Sequence, residues 1–255
     1  MQQCAREKPH GRWVYVPAPE EIPVTFQIGM VGSDGVLLAS DRAHTRPDSV
    51  RTTFSAEKLT IISSESSAYC YCCAGDDYTQ MIADRICRLE KPEHTSAKEF
   101  FLLKASLAFE KLMASVDAYS TGPSGSIFLA CGSEHVDLLR ISLHGKQDGL
   151  TVEKIDNRDF AGDGLNPAAF FIERYLPSGK YVKLPLEKLQ LIAVHTILMA
   201  SELNPVGIHG IDIVLCPHGK SFRELDLSEI EKLTQDSRKL DSTIADMLNP
   251  SRGLQ

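Results

Sequence analysis

A chain of 255 residues with 43% hydrophobic content is long enough to bury one sizeable core. Its formal net charge of −7 gives no electrostatic reason to expect nucleic acid or an anionic membrane as a partner. With no run of about 18 apolar residues and no apolar N-terminal leader, the expectation is a soluble, cytoplasmic protein of one domain with a short appendage.

Residues 1–24, MQQCAREKPHGRWVYVPAPEEIPV, contain four prolines and sustain neither a period of two nor one of 3.6, so they predict no packed element. The pattern changes at Thr25. TFQIGMV and GVLLASD are strand-like runs around the turn cluster GSDG and predict a hairpin. A polar stretch, RAHTRPDSVRTTFSAEK, follows, after which LTII and AYCYCCAG predict a second strand pair. DDYTQMIADRICRLEK opens with carboxylates and closes with cations, which suits a helix dipole, and Met81, Ile82, Arg85 and Ile86 would form its mostly apolar face. SAKEFFLLKASLAFEKLMASVDAYS predicts a longer helix, with Ser96 as its cap and Glu99 three residues on.

SIFLACG, HVDLLRISLHG and LTVEKI return to strands, and NPAAFFIERYLP predicts a short helix. PLEKLQLIAVHTILMASEL is a helix with Pro185 at its start, where a missing N–H costs nothing, and with Leu186, Leu189, Ala193 and Ile197 as a core or ring-contact stripe. GIDIVLCPHG and FRELDL predict a terminal hairpin, and SEIEKLTQDSRKLDSTIADML a closing helix. Strands, two helices, strands, two helices, strands and a helix lack regular β-α-β alternation. The fold class expected is therefore α/β of the α+β kind: a four-layer α/β/β/α sandwich of two packed, mainly antiparallel sheets over residues 25–255, with residues 1–24 as an extension.

Seven cysteines include Cys70, Cys72 and Cys73 on one predicted strand. Alternating residues of a strand point to opposite faces, so these three read as reduced, buried thiols and not as one metal site. His209, Cys216 and His218 match no standard zinc spacing, and His195 reads as a hydrogen-bonded core or interface histidine. Neither a metal nor any other cofactor is expected.

From Thr25 onward the motifs resemble those of β-type chains of the proteasome family of N-terminal-nucleophile (Ntn) hydrolases, over roughly residues 25–235. Such chains begin with a threonine, a short strand, a glycine, an Asp-Gly turn and a second strand ending in Ala-x-Asp. Here those are Thr25, Gly29, Asp34 with Gly35, and VLLASDRAHT. EKLTII, CCAGDDYTQMIADRI and DIVLCPHGKSFRELDLSEIEKL match later family segments in the same order.

The resemblance implies a threonine-type peptidase in a self-compartmentalising homo-oligomeric ring. Its substrate would be a peptide or unfolded protein, and an ATPase unfoldase is among the partners the family allows. Thr25 would be the nucleophile. A threonine hydroxyl needs an adjacent base, and a free α-amine of the same residue, with a pKa of about 7.7–8.0, is always within reach. Lys58 would stabilise charge on the hydroxyl oxygen, Asp41 would hold the ammonium, and the backbone N–H of Gly75 would be the oxyanion donor. Thr45 falls where the family's backbone pairs with an extended substrate, and Cys73 at the floor of the specificity pocket, which implies cleavage after small or medium apolar residues. The family's supporting Ser-Gly, Asp and Ser are replaced by Asp163, Asn204 and Gly207. Asp163 could accept from the α-ammonium and Asn204 keeps polar capacity, but Gly207 brings no side chain.

Two alternatives stay open: a catalytically silent ring or scaffold subunit, and an Ntn amidohydrolase for small amides. Residues 1–24 lack the signature of the family's α-type N-terminal helix, which weighs against the first. Because Val24 precedes Thr25, residues 1–24 are expected to be an over-called extension. Val24 would be a GUG start read as methionine and removed before the small Thr25.

Overall fold

The computed structural model describes residues 25–46, 52–55, 57–63, 68–87, 96–115, 122–132, 134–162, 167–177, 182–205 and 207–248. The extension at 1–24 lies outside these residues.

Strands β1 (Phe26–Val31) and β2 (Gly35–Ser40) form the predicted hairpin, with Gln27 opposite Ser40 and Val31 opposite Val36. The polar stretch that follows contains two further short strands, β3 (Ala43–Arg46) and β4 (Thr52–Ser55), paired as a ribbon. Its sequence lacks apolar alternation, the only periodic signal by which a strand is read, so composition gave it no element. β5 (Leu59–Ser63) and β6 (Ala68–Gly75) pair as expected.

Helix α1 (Asp77–Ile86) is capped by Asp76, whose side chain accepts from the Thr79 N–H. It buries Thr79, Ile82, Ala83 and Ile86, a spacing of i, i+3, i+4 and i+7. Met81 and Arg85, expected on that face, are exposed. Helix α2 (Ala97–Met113) carries the predicted capping box: Ser96 Oγ accepts from the Glu99 N–H and donates to the Glu99 carboxylate.

Strands β7 (Ser124–Gly132) and β8 (Val136–His144), the single turn α3 (Gly145–Asp148) and β9 (Leu150–Ile155) follow, and then β10 (Arg158–Gly162), a strand the sequence reading missed. The chain continues through α4 (Ala168–Tyr175), α5 (Leu186–Leu203), β11 (Asp212–Pro217), β12 (Arg223–Glu224) and α6 (Leu227–Leu248). Pro185 is the cap residue of α5.

Two antiparallel five-stranded sheets result, ordered β10-β1-β2-β11-β12 and β5-β6-β7-β8-β9. Their facing sides enclose a core of Val36, Leu38, Cys70, Cys72, Phe128, Leu138 and Val214. On the outer side of the second sheet, Ile82, Ile86 and Phe101 of α1 and α2 pack on Tyr71, Leu129 and Ile141. The first sheet is covered through Phe26, Ile28 and Met30, which meet Leu189, Ala193 and Ile197 of α5. Each fully buried large side chain contributes about 1.5–3 kcal/mol. The architecture is the four-layer α/β/β/α sandwich.

Strand alternation sets this arrangement. Phe26, Ile28 and Met30 face the helices while Val31 faces the other sheet. On β6, Cys70 and Cys72 point between the sheets and Cys73 points to the helix side, so the three thiols are split as the period of two requires. His195 is buried on α5 with its Nδ1 2.9 Å from Ser237 Oγ of α6, a core histidine.

Candidate active site at the head of strand β1

Thr25 stands immediately before β1 and is 9% exposed. The hairpin register brings Asp41 to it without help from the rest of the fold: Gln27 is opposite Ser40, so Phe26 falls opposite Asp41, and the Asp41 N–H donates to the Phe26 carbonyl at 3.1 Å. In return Asp41 Oδ1 accepts from the Phe26 N–H at 2.8 Å, and Oδ2 accepts from the Ala43 N–H at 2.8 Å. A carboxylate so held cannot swing away.

Lys58 arrives from the other sheet, at the entry to β5. Its Nζ donates to Thr25 Oγ1 at 2.9 Å and lies 3.0 Å from both Asp41 oxygens. The lysine side chain is 7% exposed and the aspartate side chain fully buried. Burial pushes the Lys58 ammonium below its ordinary pKa, with the neighbouring Asp41 carboxylate working against that shift. Burial likewise pushes Asp41 up, against Lys58 and its two backbone N–H donors. The result is a threonine hydroxyl hydrogen-bonded to a buried ammonium on a fixed carboxylate.

Gly162, at the end of β10, packs on the Thr25 carbonyl so closely that a Cβ there would lie 1.7 Å from that oxygen. Its φ of +103° also favours glycine. Asp163 follows it but lies outside the described residues.

Gly75 ends β6 opposite Gly125 of β7, and a Cβ at Gly75 would meet the Ser124 carbonyl at 2.5 Å. Next to it, Asp76 accepts from Thr79 at the helix start and from the Ser124 N–H at 3.0 Å, fixing the junction of strand and helix. Gln27, a buried polar residue that the sequence reading passed over, bridges the sheets: its Nε2 donates to the Cys73 carbonyl at 2.5 Å. That bond joins a residue two after Thr25 to one two before Gly75.

Cys73 is half-buried against the helix-side core, and burial pushes its thiol pKa up. Thr45 lies on β3 opposite Thr53, with its backbone in the short ribbon. Asn204 is not brought to Thr25 by any described contact. It caps α5, and its Oδ1 accepts from the Gly207 N–H at 3.1 Å, so that oxygen serves its own turn. The hairpin histidines have other employment. His218 Nδ1 accepts from the Val136 N–H at 3.1 Å and its ring stacks on His135, while the His209 carbonyl accepts from the Arg42 N–H.

Arg42 and Asp212, also unmarked in the sequence reading, lie beside the site. Asp212 opens β11 opposite Ser40 and is 2% exposed, and Arg42 Nε is 3.3 Å from its Oδ1. Burial, and next the Glu224 and Glu57 carboxylates acting against Arg42, raise Asp212 to about 6. A carboxylate inside the apolar run IDIVLC was the available signal.

Two facing antiparallel sheets between helical layers, with a threonine at the head of the first strand, define an Ntn-hydrolase-like sandwich. No protein-family model matches the chain and no curated protein matches its sequence. Among solved structures it is similar to Anbu (ancestral beta-subunit) from Yersinia bercovieri, with a TM-score of 0.67 and 13% identity over 88% of this chain and 96% of that one. It is also similar to a helical assembly of the Anbu complex from Pseudomonas aeruginosa, with a TM-score of 0.66 and 15% identity over 88% and 96%. Anbu from Hyphomicrobium sp. strain MC1 gives a TM-score of 0.63 at 12% identity, over 86% and 97%. At such identities the likeness is one of fold, over nearly the whole length of the chains compared.

Proposed function

We propose that the chain is a subunit of a proteasome-like, self-associating assembly and acts as a threonine-type peptidase with Thr25 as its N-terminal nucleophile. The observation that carries this reading is the contact of Lys58 Nζ with Thr25 Oγ1 at 2.9 Å, backed by Asp41 at 3.0 Å. A buried ammonium on a threonine hydroxyl stabilises the alkoxide character that attack on a carbonyl requires. Self-association is supported by the fold shared with an Anbu complex described as a helical assembly.

The reaction needs a free α-amine on Thr25. Residues 1–24 are accordingly an extension absent from the working protein, whose domain spans 25–255. The amine takes the hydroxyl proton, directly or through a water, as Oγ1 attacks the peptide carbonyl. Negative charge moves to the carbonyl oxygen, where the Gly75 N–H donates to it. Collapse of the intermediate passes the proton to the leaving amine and leaves an ester on Oγ1, which water hydrolyses. The side chain before the scissile bond enters the pocket floored by Cys73, the substrate backbone runs along Thr45, and Asp163 supports the amine, while Asn204, whose oxygen serves the Gly207 N–H, does not. The substrate is a peptide or an unfolded protein, and an ATPase unfoldase would supply the latter.

The test is hydrolysis of fluorogenic peptides by protein whose mass and N-terminal sequence begin at Thr25. Cleavage that Thr25→Ala abolishes is expected. Full cleavage by the alanine variant would falsify the mechanism. Rings without cleavage would assign a silent scaffold subunit, and turnover of small amides alone an amidohydrolase.

A further inference from the structure

The two groups that the proposed reaction brings together belong to different sheets, since Thr25 heads β1 and Gly75 ends β6. An oxyanion donor works by position: its N–H must stand about 2.7–3.1 Å from the place where charge develops. Lys58 fixes the hydroxyl side of the pair through Thr25 Oγ1 and Asp41. The spacing of β1 from the end of β6 is set elsewhere, at Gln27.

Gln27 is fully buried in the middle of its sheet, opposite Ala161 of β10 and Ser40 of β2, so its backbone is held on both sides. Its side chain crosses to the second sheet, where Nε2 donates to the Cys73 carbonyl at 2.5 Å. The reverse amide orientation would set two oxygens face to face, so Nε2 is the atom on Cys73. β5 pairs with β6 only as far as Leu59 opposite Cys72, and this carbonyl lies just past the end of that ladder. On its other side Gly75 is wedged: a Cβ there would meet the Ser124 carbonyl, the Gly125 Cα and Thr79 Oγ1 at between 2.5 and 2.8 Å. The end of β6 is thus held between Gln27 and the junction of β7 with α1.

Stability alone does not account for the amide. The core between the sheets is built from apolar side chains such as Leu38, Cys72 and Ala74, and Gln27 Oε1 is buried with no hydrogen-bond partner among the described residues. An amide with its oxygen unpaired is a costly way to fill such a core. What it adds over an apolar side chain is the Nε2 bond.

We infer that Gln27, on the peptidase reading proposed above, is a positioning residue: by holding the Cys73 carbonyl it sets the place of the Gly75 N–H, two residues on, relative to Thr25. Without that bond the end of β6 is released from β1, while Thr25, Lys58 and Asp41 keep their contacts. The step that suffers is formation of the tetrahedral intermediate. Substrate binding suffers little, because the Cys73 side chain stays anchored in the helix-side core.

The test uses protein that begins at Thr25 and two variants. Gln27→Met keeps the length of the side chain and removes the donor, and Gln27→Glu donates only while protonated. Gln27→Met should lose at least about tenfold in kcat on fluorogenic peptides, with KM within about threefold and the shape of the pH profile unchanged. A peptide boronate, whose tetrahedral adduct on Thr25 puts an oxygen where the oxyanion forms, should lose affinity by a similar factor. Gln27→Glu should come nearest the wild-type rate at low pH and fall away from it as the acid, raised by burial, ionises. An unchanged kcat in folded Gln27→Met would overturn the inference, and so would a loss carried mainly by KM. Should that variant fail to fold, a Gln27→Glu rate in constant ratio to wild type at every pH overturns it as well. Wild-type protein that neither cleaves the peptide nor captures the boronate would instead overturn the peptidase reading, and the positioning role with it.

Discussion

Asp41 and Asp212 are buried aspartates at nearly the same level of adjacent strands, since Asp212 opposes Ser40, yet the fold treats them in opposite ways. Asp41 is saturated: two backbone N–H donors and the Lys58 ammonium account for both of its oxygens. Asp212 keeps one oxygen without a hydrogen bond and shares its cation with Glu57. A saturated buried carboxylate fixes geometry, which is what a nucleophile's lysine needs.

Breaking the saturated side should have the largest effect. Asp41→Ala leaves a buried ammonium and two backbone donors unpaired, and should cost roughly 3–5 kcal/mol of stability, measured by urea unfolding. If the loss is within a few tenths of a kcal/mol, Asp41 is not the anchor described here. Gly162→Ala acts on the same side through the backbone. With a methyl 1.7 Å from the Thr25 carbonyl and φ at +103°, a loss of roughly 2–4 kcal/mol is expected in the same assay. In protein that starts at Thr25, peptide cleavage should fall with it.

The incomplete side predicts a pH signature. Asp212 is raised from an ordinary 3.8 to about 6 in the folded state, so folding favours its protonated form. Its stabilising contribution is fully present below about pH 4 and is lost as pH rises through about 6, a change of roughly 3 kcal/mol. Asp212→Asn should flatten that part of the stability curve, and the difference between the two curves between pH 4 and 7 isolates the group. A variant curve parallel to the wild type would show that Asp212 titrates normally. Smallest of all, Glu224→Gln removes one charge that raises Asp212. It should move the Asp212 titration, followed by carboxyl carbon NMR, down by a few tenths of a unit, as expected for a charge near a protein surface.

How much of this was legible before folding depends on how local each feature is. The capping box at Ser96 and Glu99 and the apolar stripe of α5 are set by residues within a few positions of one another. β10 and the β3-β4 ribbon were not legible. Arg158–Gly162 and Ala43–Arg46 carry no alternating apolar signal and become strands because a neighbour's backbone offers partners. Gln27 looked like any strand residue until the second sheet supplied the Cys73 carbonyl.

The Thr25 site divides along the same line. The sequence by itself determined the pairing of Thr25 with Asp41, because a tight hairpin fixes its register and the register puts Phe26 opposite Asp41. It also determined the sandwich, since alternation on β1 and β6 demands burial on both faces of each sheet. Only the tertiary structure decided that Lys58, 33 positions from Thr25 and on the other sheet, puts its ammonium on that hydroxyl, and that Asn204 turns its oxygen to its own turn. Only it decided that Asp212 is left with a buried oxygen that has no hydrogen-bond partner. A register is a local count of residues, whereas a contact between sheets, or the lack of one, depends on how two separately formed layers come to rest against each other.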